Sequence, residues 1–153
     1  MKIDRMNCSE KEIAPSNALT GDEIQLVQET WSRVENSIEM AIDFYNRLFY
    51  LYPFLRPMFK ENIQLQARKF SAHVSLVIGN IKDRNTLQPM FEEMRNLHLN
   101  HNVKTRHYNY VQEALFYALK NHLVKEWDEH TESAWIKFYN IMASQMAASR
   151  HNK

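Results

Sequence analysis

The sequence is short of the residues that turn corners: in 153 residues there are two glycines and four prolines. A β-sandwich or barrel needs far more turn chemistry than that. What remains is rich in Leu, Met, Glu, Lys, Arg, Gln and Ala, which lose little rotamer freedom in a helix, so an all-α domain is expected. Cysteine is nearly absent. Cys8 alone excludes an internal disulfide and a cysteine-based zinc cluster, and favours a reducing, cytoplasmic setting. Charge is nearly balanced at +1, which offers nothing to nucleic acid or to an acidic membrane surface. Apolar runs such as Leu76 to Ile78 are too short to span a bilayer, and Met1 to Ser16 lacks an apolar signal core. The length suits one domain with a core of its own.

Met1 to Ala18 is polar, carries Pro15 and has no sustained period, so residues 1–18 are expected to form a flexible extension and residues 19–150 the folded domain. Thr20-Gly21-Asp22-Glu23 is a capping box opening a first helix with Ile24, Val27, Trp31 and Val34 on one face. Ile38, Ala41, Ile42, Tyr45, Leu48, Phe49 and Tyr52 form one apolar stripe on a second helix. Pro53 and Pro57 impose a short connection holding Phe54, Leu55, Met58 and Phe59. A long helix is expected from about Asn62, with Phe70, Val74, Val77, Ile78 and Ile81 inward, broken at Asp83-Arg84-Asn85. Thr86, Thr105 and Thr131 can each cap a later helix. The first of these carries Leu87, Met90, Phe91, Met94, Leu97, His98 and His101 on one face. The pattern predicts seven or eight helices of unequal length rather than a simple four-helix bundle.

Two features sit oddly in these faces. His98 lies four residues after Met94 and seven after Phe91, in the middle of an apolar stripe. It is either a core histidine bonded to a carbonyl or a metal ligand whose second nitrogen is held by a hydrogen bond. His101, one turn on, could join it, but no third ligand in a Glu-x-x-His or His-Glu-x-x-His pattern exists. Tyr45 places a phenol in a core face, where an unpaired hydroxyl costs about 1–3 kcal/mol unless a carbonyl or solvent meets it. Gln66 and Lys69 flank Phe70 and alone would pass as solvated residues. A phenol, an amide and an imidazole on three helices, with Phe59 between, suggest a pocket for a flat apolar cofactor.

Phe44 to Phe49, Pro53 to Phe59, Gln66 to Phe70, His98 through His107-Tyr108, and Ala134-Trp135 before Phe138-Tyr139 together resemble a globin. The likeness is to bacterial-type single-domain haemoglobins and the globin half of flavohaemoglobins, over about Leu19 to Met146. The resemblance implies a globin fold around haem b, with His98 as the proximal iron ligand, five residues before Val103 and nine before His107-Tyr108. It makes Phe59 the ring that stacks on the haem, Tyr45 the distal tyrosine, Gln66 the distal residue of the long helix, and Phe70 its neighbour facing the ligand. Met94, Leu97, Val103 and Tyr108 complete the haem surroundings, while Lys69 and His101 are placed to reach propionates. Small residues at the crossing of the second and long helices, Ala41 and Ala67, suit that fold.

The implied activity is reversible binding of dioxygen, and of carbon monoxide or nitric oxide, with high affinity conferred by the Tyr45 and Gln66 donors. The alternatives are a nitric-oxide dioxygenase fed by an external reductase, and a gas or redox sensor, in a monomer or homodimer. Two departures stand out: Phe70 replaces a smaller aliphatic residue, and Arg150 stands where flavohaemoglobins carry a glutamate linked through a tyrosine, here Tyr108, to the proximal histidine.

Overall fold

A computed structural model describes residues 19–100 and 104–148, without the side chains of Leu99, Asn100, Thr105, Ala147 and Ala148. The expected extension, His101, Val103 and Arg150 lie outside the described residues. Helices α1 (Gly21–Val34) and α2 (Ile38–Leu51) are followed by a 3-10 turn at Pro53–Met58. Then come α3 (Ile63–Gly79), α4 (Arg84–Asn100), α5 (Thr105–Leu123), a 3-10 turn at Val124–Glu126 and α6 (Glu129–Ala148). No strand occurs among the described residues. The fold is all-α, as the scarcity of glycine and proline implied.

Local chemistry sets most of the helix starts. Thr20 and Glu23 form the reciprocal box, at 3.1 and 2.9 Å, and Asn62 accepts from the Leu65 N–H to open α3. Two expected caps are corrected. α4 is capped by Asp83, whose carboxylate accepts from both the N–H and the hydroxyl of Thr86. α6 is capped by Asp128, which accepts from the Thr131 N–H, leaving the threonine side chain buried. Thr105 is likewise the first residue of α5 rather than its cap. There the His107 imidazole accepts from the Lys104 N–H at 2.9 Å. Pro89 sits inside α4, where it removes the bond to the Asn85 carbonyl; both residues are exposed, so water takes that carbonyl.

α2 is the central helix, packed against both α3 and α5. Its buried set is Met40, Ala41, Phe44, Tyr45 and Leu48, while Ile38, Ile42, Phe49 and Tyr52 are only partly buried. The single stripe expected from sequence is therefore widened to two sides, because two partners cover the helix. Ala41 and Ala67 are both fully buried, as the close approach of α2 and α3 requires. α1 packs on α6, where Trp135 Nε1 donates to Thr30 Oγ1 at 2.9 Å, and on α3, where Trp31 Nε1 donates to Ser75 Oγ at 2.9 Å. Such partners let the indoles be buried without an unpaired N–H. α4 packs chiefly on α6 and shares no comparable interface with α3.

Candidate functional site

α3 and α4, which carry Gln66 and His98, do not pack extensively on each other. On the α2–α3 side is an aromatic cluster. The Tyr45 ring lies 5.6 Å from Phe59, 5.9 Å from Phe70 and 5.9 Å from Phe49, centroid to centroid. Phe70 in turn stacks on Phe44 at 4.5 Å. Tyr45 is buried, at 5% exposure, and its hydroxyl makes no hydrogen bond with a described residue. Burial alone pushes its pKa well above the ordinary phenol value, so it keeps its proton. A protonated, unpartnered phenol in an aromatic wall is a donor awaiting an acceptor. Gln66 is half-buried on the same helix as Phe70.

The other side is α4. His98 is half-buried, and its Nδ1 lies 3.2 Å from the hydroxyl of Tyr108 at the start of α5. Tyr108 is itself held through its backbone carbonyl, which accepts from the Tyr139 hydroxyl of α6. Burial pushes the Tyr139 phenol above its ordinary pKa, so it stays a donor. When Nδ1 carries the proton and donates to Tyr108, Nε2 holds the lone pair that a metal takes. Along α4, Met90 and Met94 are half-buried and Leu97 is 46% exposed, although all three are apolar.

The structure thus brings Tyr45, Phe59 and Phe70 together, and separately His98 with Tyr108. Lys69 is turned to Glu61, at 2.7 Å, a partner that the sequence reading did not include. Among the described residues no group of three or more His, Cys, Asp or Glu could hold a bare metal ion. Cavities of about 400 and 340 Å³ lie on the outer faces of α3 and α2 and border none of Tyr45, Gln66 and His98. The Tyr108 contact had a sequence signal in the spacing from His98; the Tyr139 bond to the Tyr108 carbonyl, and the Glu61 partnership eight residues from Lys69 across a helix start, had none.

The donor set fits haem. One imidazole oriented by a hydroxyl, apolar side chains left partly uncovered on α4, aromatic rings facing from α2 and α3, and one unpartnered buried phenol are what a flat apolar iron cofactor needs. Comparison with known proteins points the same way. The chain is 24% identical to an anaerobic nitrite reductase of Physcomitrium patens, over 90% of this chain and 85% of that one. It is 25% identical to hemoglobin-3 of Phacoides pectinatus, over 80% and 89%. With the hemoglobin subunit beta-2 of Somniosus microcephalus it shares 24% identity, over 86% and 98%. The family model described as Globin matches residues 42–146, well over half of the chain, and the chain belongs to the globin family.

Proposed function

We propose that this globin holds haem b through His98 and reversibly binds dioxygen with high affinity beside Tyr45 and Gln66. The observation that carries the reading is the pairing of a hydroxyl-oriented imidazole on α4 with a buried, unpartnered phenol on α2. Haem, when bound there, would be held by His98 and would supply an iron that takes a diatomic gas. Tyr108 holds the His98 ring in one tautomer and orientation. Phe59, Phe70, Met94 and Leu97 exclude water from the haem surroundings; Val103, which the resemblance adds to them, lies outside the described residues. Tyr45, kept protonated by burial, donates a hydrogen bond to a gas that has gained partial negative charge, and Gln66 adds a second donor. Lys69 and His101 serve propionates; for Lys69 a propionate competes with Glu61.

The folded globin unit spans residues 19–150, preceded by an extension, and works in the cytoplasm. A second reading, catalysis on small nitrogen oxides with an external reductase, draws support from the nitrite reductase among the relatives. Absorption spectra of the ferric, reduced and reduced-plus-carbon-monoxide forms, beside His98→Ala, test the primary reading. A histidine-ligated spectrum that binds carbon monoxide and is lost in the variant supports it; an intact chain that takes up no haem refutes it. Loss of the oxy spectrum on adding nitric oxide, with turnover only when electrons are supplied, distinguishes the catalytic reading.

A further inference from the structure

The face of α2 opposite Tyr45 carries a second constellation. Asp43, Asn46, Arg47 and Tyr50 meet Tyr117 and Asn121 of α5 around a cavity of about 340 Å³. The Arg47 guanidinium carbon lies 4.1 Å from the Tyr117 ring centroid and 5.5 Å from that of Tyr50. Held against two rings, the planar fork is pre-organised and loses little freedom on meeting a ligand. Its Nε is closed off from solvent and has no acceptor, and no ion pair forms with Arg47 among the described residues. The one carboxylate that lines the cavity, Asp43, is engaged by His122 Nε2 at 2.7 Å. The guanidinium has no ion-pair partner among the described residues, and an oxyanion meeting its terminal N–H groups supplies a counter-charge.

We propose that this cavity is a binding site for a small planar aromatic carboxylate. The carboxylate takes the terminal N–H groups of Arg47 as a two-pronged pair, while the ring lies along the tyrosine walls. Asn46 and Asn121 supply amide donors at the rim. The volume falls at the small end of ligand pockets, which suits a single ring with an acid group rather than a large cofactor. Tyr50 and Tyr117, 76% and 42% exposed, stay open to receive it. The site shares no side chain with the His98 and Tyr45 region, so it stands or falls independently of haem binding. Occupation bridges α2 to α5.

The test is a titration of the full-length protein, both haem-free and, where haem binds, in its diamagnetic carbon-monoxide form, with benzoate and separately with inorganic phosphate. The Arg47 Nε–H and the Asn121 side-chain amide are followed by nitrogen-15 NMR. The proposal expects a saturable shift of both resonances with benzoate, at least about tenfold tighter than with phosphate. Arg47→Lys keeps the charge but loses the fork, and should weaken benzoate by about tenfold or more at the Asn121 amide. Tyr117→Leu removes a wall and should weaken it similarly, which keeps the test open if the arginine variant does not fold. Absence of a saturable shift, equal affinity for phosphate and benzoate, or unchanged binding in a folded Arg47→Lys would each overturn the proposal.

Discussion

Tyr45 of α2 and His98 of α4, which the proposed function sets on either side of haem, are held in opposite ways. α2 is pressed between α3 and α5, and five of its side chains are buried. Its tyrosine sits in a cluster of rings whether or not anything else is bound. α4 leans on α6, sends Leu87 and Phe91 into the core, and leaves Leu97 46% exposed. Its histidine is steadied by one hydroxyl from α5. The surroundings of Tyr45 are finished by protein packing, whereas α4 has apolar surface still to cover. On the proposed function haem covers that surface, and is then part of the core as well as the reactive group.

The largest effect that would break this contrast lies in α2. Phe44→Ala should cost about 3–5 kcal/mol in urea unfolding with or without haem, as a buried aromatic truncation does. Tyr45→Phe separates function from packing. Dioxygen release should quicken about tenfold or more by stopped-flow, through loss of about 1.4 kcal/mol of hydrogen bonding. The haem-free stability should hold or rise, because the hydroxyl has no partner there. An unchanged off-rate would remove Tyr45 from the account.

His107, at the joint below α4, sharpens the comparison through pH. Burial, helped by Arg106 and Lys104, holds its pKa below the ordinary 6.5. The folded protein thus favours neutral imidazole, the form that accepts from the Lys104 N–H. Its contribution is full above the unfolded value and is lost as pH falls through the folded one. Between about pH 8 and about pH 5.5 the native protein should lose more urea stability than His107→Gln. Equal losses would remove His107 as a cause. The smallest effect is at Leu97: Leu97→Ala should change haem-free stability by under about 1 kcal/mol yet speed haem loss, since the side chain is half exposed until covered.

Much of this organisation is legible in the residues. The Thr20 box, Asn62 as the start of α3, and the small pair Ala41 and Ala67 follow from local chemistry and appear as expected. Two of the misplaced caps, at Thr86 and Thr131, share one cause. Asp83 and Thr86, and Asp128 and Thr131, are capping types three residues apart, and in each pair the carboxylate accepts from the threonine backbone. Sequence pattern cannot rank two such candidates without the path of the preceding chain. On α2 the stripe misjudged Met40 and Phe44 because periodicity reveals one buried face, not the number of helices packed around it. Arg47 passed unnoticed for the same reason: a polar residue on an outer face looks solvated until Tyr117, seventy residues on, is seen to stack on it.

The central claim is that haem supplies the missing part of the wall made by α4. Amide hydrogen exchange, read helix by helix in the haem-free and haem-loaded protein, tests it most directly. The account predicts slow exchange throughout α2 in both states, and fast exchange in α4 that slows by at least about tenfold when haem binds. Equal protection of α2 and α4 without haem, or an α4 unaffected by its addition, would contradict it.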